Sequence, residues 1–161
     1  MPLASVRQAV ADALVDRQGL TVYTNSLVIC GKLANRSHNR VHMLGGEVQA
    51  NNNSTVGHDA TTMLGNYFAD FALVGAGAVA SDGWIMDYTR EEAELHRLML
   101  RSARSTALIV DDSKFNRFAP VRVATFDRIT YLLTNRRPEG DLSYVLANLP
   151  LQVLSADTRM R

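Results

Sequence analysis

The sequence predicts a single-domain α/β fold in which a mostly parallel sheet is covered by helices on both faces, and three observations support this class. Short apolar strands alternate with amphipathic helices along the whole chain. The segment 107–110 has four apolar residues without polar alternation, which is typical of a strand buried on both faces. Four predicted strands also end in small or polar clusters, and open α/β sheets bind ligands at the carboxyl ends of their strands.

Length and charge limit the classes of function. A chain of 161 residues fits one domain with a substantial core. Seventeen basic and sixteen acidic residues give a net charge of +1, so the chain lacks the concentrated basic face that binds nucleic-acid phosphates. We therefore do not expect this segment alone to bind DNA. Because it has no long apolar run and no signal pattern, we expect a cytoplasmic protein without membrane contact.

Cysteine and histidine residues point away from metal or disulfide chemistry. Cys30 is the single cysteine, which excludes an internal disulfide and favours a reducing compartment. The four histidines show no spacing typical of metal ligands, and we predict neither a metal nor another cofactor.

The first part of the chain is predicted to begin with a helix from Ser5 to Val15, with Ser5 as its N-cap. Because so few residues precede this helix, we expect a domain that is truncated at its start. The segment 51–55 reads as a polar loop or hairpin tip. The other predicted elements are strands at 20–23 and 41–44 and helices at 27–34 and 59–67.

Two of the polar strand ends lie in this part. Thr24, Asn25 and Ser26 can cap the following helix, or they can leave some of its free amides facing an anion, and capping alone is the commoner outcome. Gly45 and Gly46 form a turn in which the backbone can approach a ligand closely, although paired glycines are weak evidence alone.

The third strand end follows a predicted strand at 71–74 and has the sequence Gly75-Ala76-Gly77. Its GxG pattern is not a dinucleotide fingerprint, because residue 80 is alanine and a turn at 81–83 replaces the expected helix. We therefore predict no NAD binding.

A capping box at Thr89 to Glu92 predicts a helix that extends to Ala103, with Ala93, His96, Leu100 and Ala103 facing inward. Glu91, Glu92 and Glu94 are assigned to its solvated first turn, and Glu92 is also kept as a candidate ligand. Further strands are predicted at 121–124, 131–133 and 151–154, with a helix from Pro138 to Asn148.

The fourth strand end, at Asp111 to Lys114, is the strongest functional candidate. A buried strand that ends in Asp-Asp-Ser-Lys delivers acceptors and a cation to the edge of the sheet, which makes Lys114 the best single candidate residue. The alternative is a solvated turn in which Lys114 only pairs with a neighbouring aspartate.

Several motifs in order resemble the effector-sensing domain of DeoR-family transcriptional repressors. They are Thr24-Asn25-Ser26, Leu44-Gly45-Gly46, Val56-Gly57, Gly75-Ala76, Glu91 to Glu94, and Asp111-Asp112-Ser113-Lys114-Phe115. The resemblance implies a fold related to sugar-phosphate isomerases and CoA transferases, which this family uses to sense phosphorylated sugars or related metabolites. It also implies a homo-oligomer and an amino-terminal winged helix-turn-helix that binds the operator, which we do not find in this chain.

The chain departs from the family pattern at three places. The usual Gly-Thr-Thr phosphate loop is replaced by Ala4-Ser5-Val6-Arg7, in which only Ser5 offers a hydroxyl. The usual Gly-Ala-Asp-Gly-Ile-Asp is replaced by residues 75–80 without either carboxylate, and the usual Thr-Asp by Thr134-Asn135.

These features leave three hypotheses for function. In a sensor, Lys114 would attract an anion, Asp111 would accept sugar hydroxyls, amides near Gly45, Gly46 and Gly75 would complete the site, and residues 24–26 would add polar groups. An isomerase-like enzyme is less favoured. Gly77 and Ala80 occupy the positions at which the related isomerases have acidic residues, and neither can accept a proton. The third hypothesis is a domain with a decayed pocket that serves only in oligomerisation.

Overall fold

The computed structural model describes residues 3–34 and 38–156, in which helices alternate with strands in an α/β fold. This is the fold class that the sequence predicts. The chain forms two compact units, one ending at Tyr67 and one beginning at Phe68. Within the described ranges, no helix has the length and apolar character required to cross a membrane.

The first unit combines a parallel strand pair, a hairpin and helices. Its helices are α1 (Leu3–Leu14), α2 (Leu27–Leu33) and α3 (His58–Leu64). Its strands are β1 (Thr21–Thr24), β2 (Arg40–Met43), β3 (Glu47–Gln49) and β4 (Ser54–Val56). Strands β1 and β2 pair in parallel, and β3 and β4 form the antiparallel hairpin.

The second unit is built around a four-stranded parallel sheet in the order β11-β10-β8-β5. Strands β6, β7 and β9 form a separate antiparallel sheet. The strands are β5 (Ala69–Val74), β6 (Ala78–Val79), β7 (Trp84–Asp87), β8 (Ala103–Ile109), β9 (Val121–Thr125), β10 (Tyr131–Thr134) and β11 (Gln152–Ser155). The helices are α4 (Arg90–Arg101) and α5 (Asp141–Ala147).

One face of the parallel sheet carries the core of the second unit. Val74, Leu108 and Leu132 lie opposite one another on three adjacent strands and are buried together with Phe126 and Leu142. Full burial of one such side chain stabilises the folded state by about 1.5–3 kcal/mol. The apolar run at residues 107–109 of β8 is therefore explained by the interior position of this strand in the sheet.

The arrangement of strands differs from the single mostly parallel sheet that the sequence predicts. The parallel strands are divided between a two-stranded and a four-stranded sheet, and antiparallel pairs accompany them. The sequence reading missed β6 and β7, although the turn at 81–83 that joins them was predicted. Residues 75–80 are glycine, alanine and one valine, a composition with little strand preference.

Several element boundaries also differ. Helix α1 begins at Leu3, so Ser5 lies inside the helix and is not its N-cap; the side chain of Ser5 is outside the described part of the structure. Ala103 begins β8 instead of ending α4. Helix α5 begins at Asp141, after Gly140 as N-cap, so Pro138 precedes the helix.

The polar segment at 51–55 is only partly a loop. Residues 51–53 lie at the tip of the hairpin, as one of the two predictions has it. Ser54 and Thr55 belong to β4 and are buried, because the hairpin packs back onto the end of β1 through a bridge between Ser26 and Ser54.

Candidate functional site

The end of strand β8 is closed by a short helical turn that Asp111 caps. The turn spans Asp112–Lys114, and Asp111 Oδ1 accepts hydrogen bonds from the amide of Ser113, at 3.0 Å, and from its hydroxyl. An aspartate is a preferred N-cap because its carboxylate satisfies amides that have no partner within the helix. The Asp-Asp-Ser-Lys sequence therefore has a structural role at this strand end as well as a proposed functional one.

The pKa of the buried Asp111 carboxyl lies below its ordinary value. Burial is the largest influence and opposes ionisation, and it is outweighed by hydrogen bonds to the carboxylate, which include those from the hydroxyl and amide of Ser113. Asp111 is therefore a carboxylate at neutral pH, as required for an acceptor of sugar hydroxyls.

Lys114 ends this turn with a half-buried side chain. Its backbone amide donates to the carbonyl of Asp111 at 3.0 Å. Among the described residues, none forms an ion pair or a side-chain hydrogen bond with its ammonium group. The alternative in which Lys114 only pairs with a neighbouring aspartate is therefore not what the structure shows.

Asn135 holds the same turn from the adjacent strand, a role that the sequence reading missed. It follows β10, and its side chain exchanges two hydrogen bonds with Asp112: the amide of Asp112 donates to Asn135 Oδ1 at 2.7 Å, and Asn135 Nδ2 donates to Asp112 Oδ1 at 2.6 Å. Residues 23 positions apart meet because β8 and β10 are parallel neighbours. A polar residue directly after a predicted strand was the available signal.

Gly75 lies at the same edge of the parallel sheet. Strand β5 pairs in parallel with β8, with Val74 opposite Leu108, so the carboxyl ends of both strands point the same way. The chain after Gly75 also meets the chain after Lys114, through a bridge between Val79 and Phe115. The structure therefore places Gly75, Asp111 and Lys114 at one edge of the second unit.

Glu92 is buried, which corrects its assignment to a solvated first turn. The predicted N-cap is confirmed: Thr89 Oγ1 accepts from the Glu92 amide at 3.3 Å and donates to Glu92 Oε2 at 3.1 Å. Burial follows from the inward face of α4, which Glu92 shares with Ala93 and His96. The helical spacing predicted that inward face, but Glu92 was left out of it.

In the first unit, residues 24–26 bond to their own surroundings. Thr24 Oγ1 accepts from the Ser26 amide at 3.1 Å, and Ser26 Oγ accepts from the amide of Ile29 at 3.3 Å as the N-cap of α2. Asn25 Nδ2 donates to the carbonyl of Thr55 at 2.9 Å. Each of the three polar side chains therefore has a structural partner.

Gly46 is required by the backbone. Its φ is +114°, and a Cβ atom at this position would lie 2.3 Å from the carbonyl oxygen of Val56. Gly45 is not constrained in this way, because its nearest atom would be Asp59 Cβ at 3.8 Å. The glycine pair is next to the polar cluster, since the amide of Leu44 donates to the carbonyl of Thr24 at 2.8 Å.

The candidates are thus divided between the units. The structure brings Gly75, Asp111 and Lys114 together in the second unit, with Glu92 on the first turn of α4. It brings residues 24–26 and the glycine pair together in the first unit.

A cleft is a further feature of the second unit. A cleft of ≈ 470 Å³ opens at the carboxyl ends of β10 and β11 and is lined by Leu133, Thr134, Arg137, Val153, Leu154 and Ser155. Residues 3–34 and 38–156 contain no group of three or more His, Cys, Asp or Glu side chains arranged to hold a metal ion.

Comparison with known families shows to which family the chain belongs. Residues 4–136 match the model of the DeoR C-terminal sensor domain. The chain belongs to the DeoR family. This sensor domain has relatives that are regulators of transcription, which supports an effector-sensing role over an enzymatic one.

Three relatives illustrate the relationship. The sensor domain is 30% identical to the glycerol-3-phosphate regulon repressor of Haemophilus influenzae over 143 residues. The matched region is 89% of this chain and 56% of that protein. It is 28% identical to the HTH-type transcriptional repressor CsqR of Escherichia coli K12, over 90% of this chain and 56% of that protein. It is 25% identical to the L-fucose operon activator of the same organism, over 73% of this chain and 49% of that protein. The chain therefore spans about half the length of these relatives.

Proposed function

We propose that this sensor domain binds a phosphorylated sugar or a similar small anionic metabolite, and that Lys114 supplies the positive charge that holds the anion. The observation that carries the proposal is the half-buried Lys114 side chain, whose ammonium group has no ionic partner among the described residues. A charge-assisted hydrogen bond to a phosphate is about twice as strong as a neutral one, and burial of the lysine stem limits competition from water.

The neighbouring groups fit a polyhydroxy anion. The Asp111 carboxylate would accept hydrogen bonds from sugar hydroxyls, and backbone amides near Gly75 would face the phosphate. Glu92 would be a further acceptor from α4. This division of roles is supported by the lowered pKa of Asp111, which keeps its carboxylate ionised and able to accept hydrogen bonds.

The candidates of the first unit are taken by themselves. Thr24, Asn25 and Ser26 already make internal hydrogen bonds, so this segment and the Gly45-Gly46 turn would offer backbone amides to an anion more readily than side chains. We propose Ser5 as a hydroxyl donor on the sequence argument alone.

We further propose that the domain acts within a longer repressor. The relatives are about twice as long as the matched region, and two of them are named as repressors. An amino-terminal winged helix-turn-helix would contact operator DNA, and the sensor domain would form a homo-oligomer in the cytoplasm. The net charge of +1 agrees with DNA binding by another segment.

A thermal-shift panel tests the ligand class. The melting temperature is measured with inorganic phosphate, glycerol 3-phosphate and several hexose phosphates. Each organic phosphate is compared with its unphosphorylated form, which is glycerol or the free hexose. A ligand that binds only the folded state raises the melting temperature. The expected result is a shift with at least one phosphorylated compound and none with its unphosphorylated partner.

Lysine variants test the site. The chain has two lysines, Lys32 and Lys114, and Lys32 pairs with Asp12. Lys114→Ala is expected to weaken the affinity for the phosphorylated compound at least about tenfold, because a charge-assisted hydrogen bond is lost. Lys32→Ala also removes one positive charge and is expected to leave this affinity unchanged. Equal loss in both variants would refute Lys114 as the anion contact. Absence of any shift, together with a stable oligomer in gel filtration, would favour the scaffold hypothesis.

A further inference from the structure

A buried carboxylate-imidazole pair lies in the second unit outside the residues assigned to the effector site. Asp87, at the end of β7, is 1% exposed, and His96, on α4, is 8% exposed. His96 Nδ1 and Asp87 Oδ2 are 2.8 Å apart, and Asp87 Oδ1 accepts a hydrogen bond from the Gly77 amide at 3.0 Å. Both carboxylate oxygens of a buried aspartate are therefore used.

Burial of such a pair is energetically unfavourable, so its effect depends on the hydrogen bonds that it makes. Taking a carboxylate out of water is unfavourable unless its oxygens are hydrogen-bonded, and the burial of an ion pair is weak evidence for stability by itself. Fully satisfied buried polar groups instead fix one arrangement of the segments that they join. Here they join the end of β7, helix α4 and the loop at 75–77.

The bond from Gly77 to Asp87 is not needed to form the β6–β7 hairpin. The Gly77 amide also donates to the carbonyl of Met86 at 3.0 Å, which continues the antiparallel ladder of β6 and β7. What Asp87 adds is a connection from the hairpin end to α4 through His96. A link of this kind sets the position of the loop relative to the helix.

Both ends of that link carry candidate ligand residues. Gly75 is two residues before Gly77 in the same loop. Glu92 is four residues before His96, one helical turn away on the same buried face of α4. Asp87 is also two residues before Thr89, which hydrogen-bonds to Glu92.

We propose that Asp87 and His96 are positioning residues of the effector site, which hold the Gly75–Gly77 loop and the first turn of α4 in one fixed arrangement. The inference rests on the proposed function, because Gly75 and Glu92 are proposed ligand contacts. The two residues themselves need not touch the ligand. The pair acts by presenting groups that would otherwise have to be ordered when the ligand binds.

Amide hydrogen exchange tests the holding of the loop without any ligand. Exchange is followed by NMR in the wild type, His96→Ala and His96→Asn, because the Asn side chain keeps an N–H donor near the position of Nδ1. His96→Ala is expected to accelerate exchange of the amides at 75–77 about fivefold, while His96→Asn restores most of the protection. Exchange in β8 and β10 is expected to change by less than about twofold.

Ligand affinity tests the functional part. The best-binding compound of the phosphate panel is titrated against the same variants, with Leu146→Ala in α5 as a control that removes a buried core side chain. A positioning role predicts about fivefold weaker binding for His96→Ala, recovery in His96→Asn, and unchanged affinity for the core variant well below its melting temperature.

The outcomes separate the two proposals. Unchanged exchange at 75–77 in His96→Ala would overturn the positioning role, and so would equal affinity losses in His96→Ala and Leu146→Ala. If His96→Ala does not fold, Asp87→Asn, which keeps an acceptor for the Gly77 amide, replaces it. Unchanged amide exchange at residues 75–77 in that variant would overturn the positioning role of the Asp87–His96 pair. Absence of binding by every phosphate compound to the wild type would refute the proposed function, while the exchange result would still decide whether the pair holds the loop.

Discussion

The polar strand ends of the two units look alike in sequence but differ in how their side chains are used. After β1, the Thr24-Asn25-Ser26 side chains cap α2 and bond to the chain of the hairpin. After β8, Asp111 caps its turn in a similar way, but Lys114 meets no ionic partner among the residues that the structure describes. The difference teaches that similar polar clusters after a strand are bonded internally or left partly without partners according to the neighbouring element.

The hairpin accounts for the difference. Strand β4 lies against residues 25 and 26, where the amide of Thr55 donates to the carbonyl of Asn25 at 2.8 Å. In the second unit Asn135 and Arg136 engage Asp112, leaving the ammonium group beyond it without such a contact. Four predictions test this contrast between an internally bonded strand end and a partly open one.

The largest effect is expected at Gly46, because the backbone there excludes any side chain. Gly46→Ala would place Cβ at 2.3 Å from the Val56 carbonyl oxygen in a left-handed conformation, and should reduce the free energy of unfolding by about 3 kcal/mol. Chemical denaturation measures the loss. Gly45→Ala, with no atom nearer than 3.8 Å, is the matched control and should cost under about 0.5 kcal/mol. Similar losses in both variants would contradict a structural reason for the glycine.

The second effect concerns Thr89, which shows that the second unit also has internally bonded caps. Thr89→Ala removes the acceptor for the Glu92 amide and a donor to the buried Glu92 carboxylate, so we expect a loss of about 2 kcal/mol. Thr89→Ser keeps the hydroxyl and should stay within about 0.5 kcal/mol of the wild type in the same denaturation experiment. If Thr89→Ser is as unstable as Thr89→Ala, loss of the hydroxyl does not explain the lower stability.

Ser26 and Ser54 provide a matched pair within the first unit. Both are buried and bridge to each other, but Ser26 Oγ caps α2 while Ser54 Oγ has no hydrogen-bond partner among the described residues. Ser26→Ala should reduce stability by about 1 kcal/mol. Ser54→Ala should be nearly neutral or slightly stabilising, because it removes a buried hydroxyl that gains no bond. A larger loss from Ser54→Ala would show that its hydroxyl has a partner after all.

The smallest effect is the pH dependence due to Asp111. Because its pKa in the folded state is lowered, the carboxylate contributes stability above the unfolded-state pKa of about 3.9, and that stability is lost as the pH falls through the folded-state pKa. Asp111→Asn removes this contribution but keeps an N-cap acceptor. Melting temperatures of wild type and variant should therefore differ at pH 6 and converge towards pH 3. A difference that grows with acidification would contradict the assigned direction.

Local sequence signals predicted the parts of the site that depend on neighbouring residues. The apolar run that ends in Asp111 to Lys114 identified β8 and its turn, and the spacing from Thr89 to Glu92 identified the start of α4. Both rest on interactions within about four residues, which the linear pattern records directly. The missed strand β6 lies within a stretch of small residues, for which that pattern is weak.

The sequence by itself determined the α/β class, the family and the positions of the polar strand ends, because these depend on periodicity and on short motifs. Only the tertiary structure decided that the side chains of residues 24–26 are bonded internally, that Glu92 is buried, and that Asp87 meets His96 and Gly77. The physical reason is that these outcomes depend on which distant segment supplies a hydrogen-bond partner, and strand pairing and helix packing set that choice, not the residues beside them.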